Sequence, residues 1–176
     1  MKNTTGHNRN RDEVKKLGEL IEEIQFAMLT TVDTDGTLRS RPMATQQIEF
    51  DGDLWFFTGA DAAKVHEVNQ KHQVNVSYAN PDDQRYVSIS GWAELVRDHQ
   101  KIKELWNPIY KAWFPDGLDD PNLALLKVHV EKAEYWDSPN SKVVQLIGFA
   151  KAVLTGQPYQ GGENEKVRMA PLPSQG

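Results

Sequence analysis

The chain has 176 residues and a formal net charge of −5 at pH 7, enough for one domain with its own core. Its composition is that of an ordinary globular protein, and its acidic balance argues against a nucleic-acid partner. The absence of cysteine excludes disulfides, thiolate metal sites and cysteine nucleophiles. The polar N-terminus is no secretory signal, and no apolar run reaches the about 20 residues of a membrane span. We therefore expect a cytoplasmic protein that does not contact a membrane.

The first elements in chain order are a helix and an antiparallel hairpin. Residues 1–10 are polar and predict a disordered tail, whereas residues 11–24 place apolar side chains at helical spacing. FAMLTTVD predicts a strand, and the Asp35-Gly36 turn leads into a second strand, TLRSRPMATQQIEF. Pro42 lies inside this second strand and predicts an edge position or a bulge, because proline cannot donate to a ladder.

The middle of the chain continues with a third strand, LWFFT, and a helix over ADAAKVHEVNQKH. The apolar spacing of this helix turns Ala62, Val65, His66 and Val68 toward the core. Two further strands follow, QVNVSYA and QRYVSISGWAELVRD, and Gly91 in the second of them predicts a bulge or a barrel bend.

The last elements are a capped helix, a long strand and a final helix. Asp98 is placed to cap a helix that Pro108 interrupts. LALLKVHVEKAEYWD predicts the sixth strand, and residues 138–154 predict a helix. From residue 157 the composition predicts a mobile tail, which leaves one domain over residues 11–156.

These patterns favour a mainly β, α+β fold: a six-stranded antiparallel split β-barrel with peripheral helices. Most connections are too short for the crossovers of a parallel sheet. The five histidines have no metal-motif spacing, and the chain lacks GxGxxG and P-loop motifs. We therefore predict no metal site and assign no catalytic residue.

The stretch DLWFFTGADAAK is the first candidate site. Side chains alternate along a strand, so Leu54 and Phe56 share one apolar face and Trp55 and Phe57 the other. Where this strand passes into a helix, free backbone N–H groups and the dipole favour an anion. Lys64 could add a charge there, but a solvated helix lysine is an equally good interpretation of the segment alone.

The stretch TLRSRPMATQQ changes this balance. Arg39 and Arg41 share one face of the strand, and beyond Pro42 the residues are small or flexible. Such a strand lets a flat ring approach the backbone closely. The alternative is an edge strand with solvated arginines.

At this point the chain resembles a known family. FAMLTTVDTDGTLRSRPM, DLWFFTGADAAKVHEV, RYVSISGWAELV and LWNPIYKAWFPDGLDDPNLALLKVHVEKAEYWD are similar to the bacterial general stress protein branch of the pyridoxamine 5′-phosphate oxidase-like superfamily. The resemblance covers about residues 12–150. It implies an FMN-binding split barrel that forms a homodimer, with the flavin at the subunit interface.

The resemblance also implies a set of cofactor-binding residues. Backbone groups along the flavin ring would come from the second strand, and other positions match residues near the ribityl phosphate or the ring. The set is Arg41, Pro42, Met43, Ala44, Thr45, Phe57, Thr58, Lys64, Tyr86 and Trp113. Trp106 is a further candidate for covering the ring, or else an interface or core aromatic.

Two departures from the family pattern bear on function. The arginine that commonly precedes the phosphate-binding lysine is Ala63 here, which implies either weaker phosphate binding or a charge partly supplied by Arg39 or Arg41. The Trp- and Arg-containing C-terminal segment of the oxidases is replaced by KVRMAPLPSQG, which argues against pyridoxamine phosphate oxidation. The expected function is FMN binding, with FAD possible, in a stress protein or flavin-dependent oxidoreductase with an unidentified acceptor. The alternatives are a non-catalytic flavin carrier or sensor, a heme- or deazaflavin-binding barrel, or an empty barrel used for interaction.

Overall fold

The structure, a computed structural model, describes residues 4–46, 48–137 and 163–169, with the backbone alone at residues 4–10 and 163. The elements in chain order are α1 (Thr4–Ile21), β1 (Phe26–Val32), β2 (Leu38–Ala44), β3 (Asp53–Gly59), α2 (Ala63–Gln70), β4 (Gln73–Asn80), β5 (Arg85–Val96), α3 (His99–Leu105), β6 (Leu123–Asp137) and β7 (Glu163–Arg168). Two short 3-10 helices, Pro108–Ala112 and Gly117–Asp119, lie between α3 and β6.

The strands form one antiparallel sheet in the order β2-β1-β4-β5-β6-β3, and β7 pairs with β6 beyond this path. Strand β2 is therefore an edge strand, which agrees with the position of Pro42. The described part of the chain forms seven strands of this sheet, whereas the sequence predicts six. The mainly antiparallel architecture itself is as predicted.

Turns and a bulge set the register of this sheet. Gly36 and Gly52 have φ angles of 87° and 114°, which glycine adopts without a steric penalty. The register shifts between Ser90 and Gly91, so the predicted bulge is confirmed. A Cβ at Gly91 would lie 2.0 Å from the carbonyl oxygen of His129, and this contact explains why glycine is needed there.

The two faces of β3 are buried in two different clusters. Leu54 and Phe56 belong to the main core between the sheet and α1. Trp55 and Phe57 pack on the other side against a smaller cluster that includes Ile102 of α3. The alternation predicted for this strand is confirmed, and the cover of the second face comes from α3 and the segment after it.

The ends of the chain differ from the prediction. The helix α1 starts at Thr4, although residues 1–10 are predicted to be disordered. Extending a helix that is already nucleated adds one hydrogen bond per residue fixed. At the other end, residues 163–168 form β7 inside the predicted mobile tail, and Val167 is buried there. The residues around Val167 are polar, so their pattern does not predict a strand. Only the pairing of β7 with β6 shows that Val167 is on the buried face. The helix predicted over residues 138–154 lies outside the described residues.

Candidate functional site

The edge strand β2 turns two arginines toward the inside of the barrel. Arg41 is opposite Leu29 of β1, and Arg39 is opposite Thr31. Leu29 and Thr31 are both fully buried, and residues directly opposite each other share a face of the sheet. Arg39 and Arg41 therefore share the inner face, as predicted.

A buried carboxylate on α2 binds both arginines. Glu67 is 4% exposed, and its Oε2 accepts a hydrogen bond from Arg41 Nη2 at 2.7 Å. Its Oε1 accepts from Arg39 Nη1 at 3.2 Å. Thr31 donates to Glu67 and accepts from Arg41, so the hydroxyl joins the two charged groups. The result is a closed network between β1, β2 and α2.

Lys64 lies next to this network and pairs with none of the described side chains. It is half-buried, one turn before Glu67 on α2, where residues three apart are neighbours. Among the described residues, no carboxylate lies within ion-pair distance of its ammonium group. Lys64 is thus a cation with restricted access to water, beside a second cation, Arg41.

The pKa shifts follow from this arrangement. Burial lowers the pKa of Lys64, the positive charge of Arg41 lowers it further, and Glu67 partly offsets both. Burial raises the pKa of Glu67, but the hydrogen bonds from Thr31 and Arg41 and the nearby arginine charges outweigh it, so the pKa is lowered overall. Glu67 is therefore an anion at neutral pH, and an added anion near Lys64 would stabilise the charged lysine.

The start of α2 offers further donors for an anion. Its N-cap residue is Ala62, whose side chain makes no capping hydrogen bond, so the first-turn N–H groups lack the usual side-chain acceptor. Thr58, before this helix, is buried, and its hydroxyl donates to the carbonyl of Gly59 at 3.2 Å. Thr58 therefore reaches an anion only if this hydroxyl rotates.

A group of aromatic rings surrounds Phe57 at the end of β3. The ring centroids of Phe57 and Tyr110 are 4.7 Å apart, and those of Phe57 and Trp106 are 5.6 Å apart. Gln46, which follows β2, donates to the Tyr110 hydroxyl at 2.9 Å. Trp106 is thus packed within its own chain, and the Gln46 contact brings the end of β2 to this aromatic group.

The segment from Pro42 to Thr45 has one open backbone edge, because β2 pairs only with β1 in the described sheet. Met43 points into the core, while the side chain of Pro42 is exposed. Thr45 lies beside the buried Tyr78, and burial raises the pKa of Tyr78 far more than the Thr45 hydroxyl lowers it. Tyr78 therefore stays protonated across the physiological range.

Two of the expected site residues lie apart from these groups. Tyr86, at the start of β5, is 42% exposed, and Trp113 is 63% exposed. The side chain of neither residue makes a hydrogen bond or a ring contact with another described residue. A role for them at the cofactor stays a prediction, which a second subunit would have to complete.

The sequence does not identify Glu67 as a site residue, and the apolar spacing of the helix predicts that His66 faces the core. The structure has the reverse, with Glu67 buried and His66 exposed. An apolar pattern favours the less polar residue for the inner face. The burial of Glu67 depends on Arg39 and Arg41, which arrive from a different part of the sequence. A Lys-x-x-Glu pair on one helix face was the available signal, and it does not distinguish a surface pair from a buried one.

The fold and the site together define an antiparallel split barrel with a cluster of three cationic side chains and one buried carboxylate between its edge strand and a helix. None of the described helices is long and apolar enough to cross a membrane. Residues 12–160 match the family described as pyridoxamine 5′-phosphate oxidase like. The chain therefore belongs to this family.

Individual relatives agree with this assignment. Protein bli-3 from Neurospora crassa is 31% identical over 155 residues, which cover 82% of this chain and 74% of that protein. A crystal structure of a general stress protein 26 from Jannaschia sp. CCS1 has a TM-score of 0.74 at 24% identity and covers 90% of this chain and 99% of its own. The general stress FMN/FAD binding protein of Xanthomonas citri has a TM-score of 0.62 at 30% identity, with coverages of 74% and 92%. The resemblance to the general stress protein branch is thereby confirmed.

Proposed function

We propose that this protein binds FMN, with FAD as a second possible cofactor, and holds the flavin phosphate near Lys64 and Arg41. The observation that carries the proposal is the half-buried Lys64, which lies beside Arg41 and forms no ion pair with a carboxylate among the described residues. A relative of 30% identity is itself described as an FMN/FAD binding protein, which supports a flavin as the source of the anion.

The residues present fit a phosphate group. Lys64 offers a point charge, and Arg41 has guanidinium N–H groups beyond the two bonds it makes to Thr31 and Glu67. The uncapped start of α2 adds backbone donors. The arginine that Ala63 replaces is thus compensated by Arg41, which comes from β2.

The residues near the end of β2 fit a planar ring. The open backbone edge of Pro42–Thr45 offers hydrogen-bonding groups, and Phe57 presents an aromatic face in the neighbouring cluster. When bound, the flavin supplies hydride or electron transfer. The chain supplies orientation, an anion-binding charge and exclusion of water on the side of the core.

A homodimer completes the proposal. The outer face of the sheet exposes apolar side chains at 40–56% of their surface, and such contiguous exposure marks interaction sites. These side chains are Phe26, Met28, Tyr86 and Trp136. Pairing of this face with a second copy would bury them and place Tyr86 and Trp113 near a shared cofactor.

The chemistry we propose is that of a flavin-dependent oxidoreductase acting on an unidentified acceptor, without pyridoxamine phosphate oxidase activity. The second candidate is a flavin carrier or sensor without turnover. It is favoured by one observation: Glu67 is held ionised in its network beside Lys64, and Tyr78, beside Thr45, is held protonated. Neither is suited to donate and regain a proton near neutral pH.

Purification and titration test the cofactor. We expect the purified protein to carry FMN, or to bind added FMN as a dimer in solution, with a flavin absorbance spectrum. A protein that neither carries nor binds flavin contradicts the proposal. Oxidation of a reduced nicotinamide faster than with the same concentration of free FMN supports the oxidoreductase, and a rate equal to that of free FMN supports the carrier.

A further inference from the structure

Glu67 places a negative charge among the three cationic side chains of Arg39, Arg41 and Lys64, a site that we call the pocket. Its side chain is 5% exposed and contacts Arg39 and Arg41, which are 52% and 20% exposed. Lys64 is its neighbour on the same helix face, and the two interact electrostatically. Any anion that binds Lys64 and Arg41 therefore also meets the charge of Glu67.

The ion pairs of the neighbouring charged residues show where the charge of Glu67 acts. Three cations, Arg39, Arg41 and Lys64, face the carboxylates of Glu67 and Asp33. Of these three cations, Asp33 contacts Arg39, the more exposed of the two arginines, at 3.2 Å. Of these two carboxylates, Glu67 is the one that contacts Arg41, whose charge acts on Lys64, so Glu67 cancels charge where an anion would bind.

We propose that Glu67 is a built-in counter-anion that limits the phosphate affinity of this site, an inference that rests on the proposed flavin binding. Without a bound phosphate, Glu67 forms ion pairs with both arginines and holds their side chains against α2 and β1. In the loaded pocket it competes with the phosphate for Arg41 and repels it. The consequence is a flavin that is held loosely enough to exchange.

The network makes one substitution especially informative. Glu67→Gln removes the charge but keeps a side-chain oxygen that can accept from Arg41 and Thr31. If Glu67 served only to position Arg41, the phosphate affinity of this variant would be nearly unchanged or lower. A counter-anion, by contrast, would give stronger phosphate binding when its charge is removed.

The experiment compares the full-length wild-type protein, Glu67→Gln and Glu104→Gln after flavin removal. Glu104 is an exposed carboxylate on α3 that pairs with Lys101, so its variant has the same change in net charge outside the pocket. Dissociation constants are measured for FMN, for riboflavin and for inorganic phosphate. We expect Glu67→Gln to bind FMN and phosphate roughly tenfold more tightly, which corresponds to about 1.4 kcal/mol, with riboflavin and the Glu104→Gln variant unchanged.

Two results would overturn the role of Glu67. One is an FMN-to-riboflavin affinity ratio that is unchanged or reduced in Glu67→Gln, and the other is the absence of phosphate binding to both proteins. If the wild-type protein binds phosphate but no flavin, the proposed function fails, while the phosphate constants still decide the role of Glu67.

A second pair of variants guards against a folding defect in Glu67→Gln. Replacing both members of a buried ion pair by neutral groups is often tolerated where removing one is not. We therefore compare Arg41→Gln with the double variant Arg41→Gln/Glu67→Gln. The double variant should bind phosphate more tightly than the single one, and equal affinities would overturn the proposal.

Discussion

The guanidinium of Arg41 lies 2.7 Å from the carboxylate of Glu67 and fastens the edge strand β2 to helix α2. The two residues are 26 positions apart in the sequence, and both are largely buried. Their ion pair has two roles: it stabilises the fold at an open edge of the sheet and sets the charge of the pocket beside Lys64.

Removal of one partner of this ion pair should destabilise the protein. Glu67→Ala leaves Arg41 without its counter-ion, and Arg41→Ala leaves the buried Glu67 with only the more exposed Arg39. Breaking a buried ion pair in this way costs up to about 3–5 kcal/mol. The double variant should lose less than the sum of the single variants, because it leaves no uncompensated charge. Urea denaturation of the wild-type protein, the two single variants and the double variant measures this coupling. Additive losses in the free energy of unfolding would show that the interaction between the two side chains does not stabilise the protein.

The same ion pair predicts how stability depends on acid. The pKa of Glu67 is lowered in the folded protein, so its stabilisation is present above the ordinary glutamate pKa and is lost as the pH falls through the lowered value. The wild-type protein should therefore lose more stability than Glu67→Gln between neutral pH and about pH 3. Parallel stability curves for the two proteins would contradict this assignment.

Lys64→Ala should weaken FMN binding and leave riboflavin binding nearly unchanged. A charged hydrogen bond to the phosphate is worth about 1.5–3 kcal/mol, or roughly tenfold to a hundredfold in affinity. Lys71→Ala is the matched control, because Lys71 is an exposed lysine at the other end of α2. Titration of flavin fluorescence measures all constants, and an equal loss for FMN and riboflavin would refute a phosphate role for Lys64.

FMN affinity should also fall at alkaline pH. Burial and Arg41 lower the pKa of Lys64 in the free protein, whereas a bound phosphate favours the charged lysine and raises its pKa again. FMN binding is then strongest below the lowered pKa of Lys64 in the free protein, and it weakens as the pH rises through that pKa. Above about pH 7 the phosphate is already mostly a dianion, so titrations from pH 7 to 10 isolate the lysine. Riboflavin and the Lys64→Ala variant should lack this dependence, and its persistence in Lys64→Ala would assign it to another group.

The local parts of this fold could be predicted from the sequence. The glycine turns at Gly36 and Gly52, the bulge at Gly91 and the cap at Asp98 each depend on a few adjacent residues. The alternation of β3 was equally clear, because a strand has a strict period of two. Such features depend on backbone chemistry that neighbouring residues already determine.

The parts that could not be predicted depend on distant partners. Glu67 is buried because Arg39 and Arg41 arrive from β2, and β7 is ordered because β6 offers it a free edge. The contact of Gln46 with Tyr110 joins residues 64 positions apart. A local pattern contains no signal for such pairs, so the sequence alone predicts neither the burial of Glu67 nor the contact of Gln46 with Tyr110. For the same reason, the segment around Lys64 does not distinguish an anion-binding lysine from a solvated one.

Gly91→Ala should be one of the most damaging small substitutions in the chain. The added Cβ would lie 2.0 Å from the backbone oxygen of His129, and backbone cannot yield as a flexible side chain does. We expect a loss of at least about 3 kcal/mol, the upper end of what overpacking costs. Ser90→Ala changes the exposed neighbour and serves as the control. Thermal denaturation measures both, and similar midpoints for the two variants would contradict the bulge geometry.

Val167→Asp should test whether β7 belongs to the folded domain. Val167 is 5% exposed and lies in the main core, opposite Ala133 of β6. An aspartate there would bury an unpaired charge, a change that costs about 3 kcal/mol or more. Lys166→Ser alters an adjacent side chain that is 78% exposed, and a surface change of this kind stays within about 0.5 kcal/mol. If β7 were only a loosely attached tail, both variants would unfold at the same denaturant concentration as the wild-type protein. A selective loss in Val167→Asp would show that the polar C-terminal segment closes the barrel core.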